Sequence, residues 1–155
     1  MLQKLPAAAF TATVKLEFAP QSVGEQAGLV LFGLDYSYIG ISKSEKGLAI
    51  SHFVCMKSDK GSPEETTESV AVPTPEVFFR VDVRPENAPE VIPRVLCSFS
   101  YSTDGTSYHP IGKTFIAREG QWVGAKVGVF SLSPYESTQS GNTDLDWFRI
   151  QPITN

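Results

Sequence analysis

Two carboxylates two residues apart, Asp144 and Asp146 in GNTDLDWFRI (141–150), are the residues of this sequence best spaced for acid–base chemistry. Two carboxyl groups flanking a glycosidic bond suffice to hydrolyse it, one as acid and one as base or nucleophile. On a β-strand, residues i and i+2 share a face and lie about 7 Å apart. An inverting pair can use that separation only if both groups project into an open cleft. Phe148 and Ile150 continue the same parity, so the shared face is expected to point towards a core. A buried aspartate must be paired, hydrogen-bonded or metal-bound. The stretch therefore predicts structural carboxylates, with Asp146 an inward, satisfied group beside Phe148 and Asp144 a residue leading into the strand. Asn142, Asp144 and Asp146 are also weak candidates for calcium, which takes hard oxygen ligands; no EF-hand-like loop surrounds them.

Other reactive side chains are few. His52 and His109 are well separated, with no HExxH and no Cys/His cluster, which argues against zinc. No GxSxG elbow or phosphate-cradling glycine loop is present. Cys55 and Cys97 sit in apolar runs, where cysteine behaves as a small buried hydrophobe, and whether they pair depends on strand neighbours that sequence does not reveal. Aromatic side chains offer a different chemistry. Tyr36, Tyr38 and Tyr108 lie in or beside turns, where an exposed ring can stack on the apolar face of a sugar.

The elements that must position these residues are strands. Phe10, Ala12, Val14, Leu16 and Phe18 alternate with polar residues, as do Val77, Phe79, Val81 and Val83, and Val95, Cys97, Phe99 and Tyr101. This is the period of strands with one face buried. AGLVLFG (27–33) and VGAKVGVF (123–130) are apolar on both faces and read as central strands. Between the runs lie turn sequences, among them SDKGSPEE (58–65) and STDG (102–105), whose Asp104-Gly105 predicts a hairpin. Ten to twelve short strands, no helical period and no internal repeat predict an all-β fold, a two-sheet antiparallel β-sandwich of jelly-roll type.

With 155 residues, one domain over residues 1–155 is expected. The net charge of -4, without a basic cluster, disfavours nucleic acid. No apolar run reaches the length of a membrane helix. The opening MLQKLPAAAFTATVKLEF passes almost at once into a strand pattern and is no signal peptide. That abruptness is expected of a module within a longer protein.

FTATVKLEFAP followed by AGLVLFGLDYSYIGIS, then CSFSYSTDGTSYHPIG, WVGAKVGVFS and TDLDWFRI, resembles the C-terminal concanavalin A-like β-sandwich of family 43 glycoside hydrolases, the module of β-xylosidases and α-L-arabinofuranosidases. The resemblance implies a non-catalytic accessory domain, with no cofactor and no catalytic residue of its own. Its implied partner is an upstream five-bladed propeller that holds the catalytic carboxylates. It further implies that Trp122 in QWVGA, at the position where relatives place an aromatic before a G-A-x-V-G strand, lies at the interdomain face and shapes a substrate subsite. Export of the longer protein would fit the breakdown of hemicellulose. Two other readings stand beside it: an independent carbohydrate-binding module for xylan or arabinan, and a stand-alone glycosidase or lyase using Asp144 and Asp146. On the first reading the isolated module is inactive.

Overall fold

Alternation along β2 (Phe10–Ala19) sets the architecture: Phe10, Ala12, Val14, Leu16 and Phe18 are all buried, while Glu17 and Ala19 are exposed. β7 (Glu76–Pro85) pairs antiparallel with β2 and buries Val77, Phe79, Val81 and Val83 on the same face. The computed structural model describes residues 1–6, 9–86, 95–117 and 125–153.

These two strands are central in a five-stranded antiparallel sheet. On one side of them stands β11 (Asn142–Pro152); on the other are β8 (Val95–Ser102) and then β9 (His109–Ala117). The six-stranded second sheet begins at the short edge strand β1 (Leu2–Lys4), followed in space by β10 (Lys126–Leu132) and β3 (Gln26–Phe32). It continues through β4 (Tyr36–Ser44), β5 (Gly47–Cys55) and β6 (Glu65–Val72). A 3-10 turn, Ser58–Lys60, lies between β5 and β6.

The core lies between the sheets. Ala27, Leu29 and Leu31 of β3, Ile39 and Ile41 of β4 and Ile50 of β5 meet the apolar face of β2, β7 and β8. Each Val, Leu, Ile or Phe among them contributes about 1.5–3 kcal/mol when fully buried, so the alternating strands carry most of the driving force. Gly28 permits the close spacing of β3 and β4, since a Cβ there would lie 2.1 Å from the carbonyl oxygen of Ile39.

The all-β sandwich matches the sequence expectation, and the eleven strands among the described residues fall within the predicted ten to twelve. β3 is central in its sheet, and β10 lies one strand in from the edge. Asp104 and Gly105 occupy the connection from β8 to β9, longer than a two-residue hairpin turn. The Asp104 carboxylate accepts from the backbone N–H of Thr106 and Ser107 and from the Ser102 hydroxyl, which holds it well below the usual carboxylate range.

One feature of the last strand overturns an expectation. β11 is in register with β2 from Asn142↔Ala19 to Leu145↔Leu16, then resumes at Trp147↔Lys15. Asp146 is the extra residue of a β-bulge. Because side chains alternate with period two, an inserted residue reverses the parity of everything beyond it. Before the bulge, Thr143 and Leu145 lie opposite the inward Phe18 and Leu16; after it, Phe148 and Ile150 lie opposite the inward Val14 and Ala12. The two aspartates therefore do not share a face with Phe148 and Ile150. Asp144 lies opposite the exposed Glu17, and the side chain of Asp146 is 57% exposed rather than inward.

Candidate functional site

Asp146 turns to Lys15, whose ammonium lies 3.0 Å from Asp146 Oδ2 and 3.2 Å from Glu76 Oε2. Hydrogen bonding to Asp146 first, and to Glu76 second, raises the Lys15 pKa. Asp144 instead accepts a hydrogen bond from the Asn142 amide at 3.3 Å. The two carboxylates thus face separate partners on an open sheet surface. Among the described residues, no three His, Cys, Asp or Glu side chains gather in the way a metal site requires.

His52 is the most unusual polar group of the interior. Its position in β5 between the inward Ile50 and Val54 brings it into the sandwich, where it is fully buried. Nε2 lies 2.9 Å from Ser37 Oγ and Nδ1 lies 2.6 Å from Thr67 Oγ1, so both ring nitrogens have partners. Gly112 of β9 has φ +75, and a Cβ there would fall 2.1 Å from His52 Nδ1; only glycine leaves room for the ring. Burial lowers the His52 pKa to about 4, against a weaker opposing pull from Glu68. A serine beside a neutral histidine has the makings of an activated nucleophile. Ser37 is also fully buried, however, so no substrate reaches it. The pair is structural. His109, in contrast, is exposed at the start of β9, with its ring 5.6 Å from that of Tyr101.

The outer face of the six-stranded sheet has a more accessible arrangement. Ile39 and Ile41 point inward, so Tyr36 and Tyr38 of the same strand point outward. Phe32 lies opposite Tyr36 and Val30 opposite Tyr38 on β3, and Phe53 lies opposite Tyr38 on β5. Ring centroids step from Phe32 to Tyr36 (6.1 Å), Tyr38 (6.4 Å) and Phe53 (4.6 Å), with interplanar angles of 17–22°. Phe130 of β10 meets Tyr38 edge-on at 5.0 Å. Both phenols converge on one carboxylate: Tyr36 Oη donates to Glu64 Oε2 at 3.0 Å and Tyr38 Oη to Glu64 Oε1 at 2.9 Å. Burial, and then the Glu64 bond, raises both phenol pKa values, so the protons stay on the tyrosines.

Beside these residues runs a groove of about 700 Å³, lined at one end by Phe32, Tyr36, Tyr38 and Glu64 and elsewhere by Leu132 and Leu145. Phe32, Leu132 and Leu145 remain 40–54% exposed at its rim. The sequence pointed to Tyr36 and Tyr38, and the structure brings them together. Glu64 was missed because SDKGSPEE reads only as turn chemistry; two tyrosines of one parity in YSY were the available sign that a polar partner was needed.

Tyr108 lies elsewhere, on the outer face of the five-stranded sheet, with the Arg80 guanidinium 3.4 Å from its ring centroid. That cation occupies a ring face which a sugar would need. Trp122 lies outside the described residues, in the 118–124 segment between β9 and β10. Cys55 and Cys97 are free and buried, one in each sheet.

Comparison with known proteins gives this arrangement a family. The Beta xylosidase C-terminal Concanavalin A-like domain family matches residues 1–151. A β-xylosidase of Formosa agariphila is 26% identical over 138 residues, which cover 89% of this chain but 20% of that protein. Among solved structures, a family 43 glycoside hydrolase engineered to display endo-xylanase and exo-arabinofuranosidase activity superposes with a TM-score of 0.82 at 19% identity, covering 99% of this chain and 31% of the other. A xylan β-1,4-xylosidase from Bacillus halodurans C-125 gives a TM-score of 0.73 at 18% identity, covering 97% of this chain and 29% of the other. These similarities at low identity establish the fold, and the chain spans about one fifth to one third of each relative. The match along residues 1–151 places it by family: the chain belongs to the concanavalin A-like C-terminal domains of β-xylosidases.

Proposed function

We propose that this chain serves as the non-catalytic accessory domain of a family 43-type glycoside hydrolase, packing on a catalytic propeller and helping to shape its substrate site. The observation that carries this reading is one of proportion: the family matches residues 1–151, while the β-xylosidase relative is covered over only 20% of its length. The remainder of such a protein has room for the catalytic machinery, and this chain's own carboxylates support the division of labour. Asp144 and Asp146 face different partners on an open surface, without the shared cleft that a hydrolytic pair needs.

Trp122 is the residue through which the domain would touch the substrate site. In the longer protein, Trp122→Ala is expected to raise KM for a chromogenic pentoside several-fold while leaving kcat less affected, the pattern of a lost binding contact. An unchanged KM, together with unchanged thermal stability of the longer protein, would refute the subsite role. The isolated chain is expected to release no chromophore from the same pentoside; turnover by the chain alone would overturn the accessory reading. A second reading, that the chain itself binds saccharide, is favoured by the tyrosine-lined groove.

A further inference from the structure

We infer that the groove beside β4 is a binding site for a neutral saccharide, with Tyr36 supplying the stacking surface and Glu64 the hydrogen-bond acceptor. The inference rests on reading the chain as part of a saccharide-acting protein, and goes beyond it by assigning a site on the domain itself.

The volume of about 700 Å³ is that of a small-molecule site. Such sites combine apolar and aromatic walls with a few polar groups, and here the polar groups are Glu64, the two phenols and Gln26, with the Ser131 and Thr143 hydroxyls bonded to each other at 3.0 Å. A sugar ring presents an apolar face of C–H groups and a periphery of hydroxyls. Tyr36 is half-buried and Phe32 is 48% exposed, so rings are available to the first feature. Glu64 meets the second. An ionised carboxylate has about four lone-pair sites, and the two phenols use one on each oxygen. The remaining sites accept hydroxyl protons, and bonds to a charged acceptor are the stronger kind.

The same bonding pattern sets the selectivity. Both phenol protons are already committed to Glu64, and no lysine or arginine is among the described residues that line the groove; its cation is the Met1 ammonium, three strands from β4 and bonded to the Val129 carbonyl at 2.9 Å. At its Glu64 end the groove therefore offers acceptors and a negative charge, which suits a neutral polyhydroxyl ligand and repels a uronic acid there. An apolar protein segment would cover the Phe32 and Leu132 rim equally well. It would also strip water from Glu64 without supplying donors, and burying a charge uncompensated is costly. That asymmetry favours the saccharide.

The test is an NMR titration of the isotope-labelled 155-residue chain with xylotetraose and, separately, with a uronic-acid-substituted xylo-oligosaccharide of similar length. Shift changes should concentrate on β3, β4 and Glu64, with the neutral sugar binding at least fivefold more tightly than the acidic one. Tyr36→Ala should weaken xylotetraose binding about tenfold. Tyr36→Phe, which keeps the ring and one core-compatible shape, should weaken it two- to threefold. Glu64→Gln should narrow the preference for the neutral sugar. No shift with xylotetraose, shifts mapping instead to Tyr108 and Trp147, or equal binding of the acidic sugar would each overturn the proposal. The titration reads the chain alone, whereas domain packing is read by the kinetics of the longer protein, so either idea can fail without the other.

Discussion

His52 stays neutral because the ring is sealed between the sheets against Gly112, with Ser37 and Thr67 filling its hydrogen bonds. Burial lowers its folded pKa to about 4, below the unfolded value of 6.5. The unfolded chain therefore binds a proton that the folded chain refuses over this interval, and stability falls as pH drops from about 6.5 towards 4. The shift corresponds to at most about 3.5 kcal/mol. Urea unfolding at pH 7 and pH 4.5 should show the loss, and His52→Gln should flatten that dependence while lowering stability at pH 7. Glu68, which faces the same region through the Gly112 N–H at 2.7 Å, is the charged group to control for. The inward position of His52 was readable in ISHFVC by counting from Ile50. Its partners were not, since Ser37, Thr67 and Gly112 come from three other strands.

At the scale of the element, the bulge in β11 decides what the terminal aspartates do. The sequence pattern supplied the strand but not its break: alternation extrapolated from Phe148 back to Asp146 and Asp144 presumes unbroken pairing, and nothing in the residue types of TDLDWF marks an inserted residue. An exposed ion pair is worth about 0–1 kcal/mol, so Asp146→Asn and Asp146→Ala should both unfold within about 1 kcal/mol of wild type. Deleting residues is more revealing. Removing Asp146 makes Leu145 and Trp147 adjacent opposite Leu16 and Lys15, leaving every other side chain on its present face. Removing Arg149 turns either Ile150 or Phe148 away from the core. The second deletion should cost about 1.5–3 kcal/mol more than the first, measured by urea midpoint; equal costs would mean that the bulge does not set the parity of the strand.

Across the whole molecule, the sandwich class and the rows of buried residues were legible because half-buried strands write their period into the sequence, as Phe10 to Phe18 and Val77 to Val83 do. The pairing order was not, since β10 returns to lie between β1 and β3 and β11 closes beside β2, contacts between residues more than ninety positions apart. The aromatic groove was half legible for the same reason: Tyr36 and Tyr38 share a strand, whereas Phe130, Leu132 and Leu145 reach it only through that long-range pairing.

Each sheet also encloses one thiol. Cys55 lies under the connection to β6, its Sγ donating to the Ser62 carbonyl at 3.2 Å, and Cys97 faces the space between the sheets, where burial pushes its pKa up to about 12. Neither can react with a thiol reagent until its surroundings open, because the thiolate is the reactive form and access is blocked. With the other cysteine replaced by Ala, each becomes a native clock for its own sheet. Cys55, needing only the Ser58–Ser62 region to lift, should label at least tenfold faster than Cys97 in the absence of denaturant. The two rates should converge as urea brings on global unfolding, so that one pair of labelling curves separates the loosening of a loop from the parting of the sandwich.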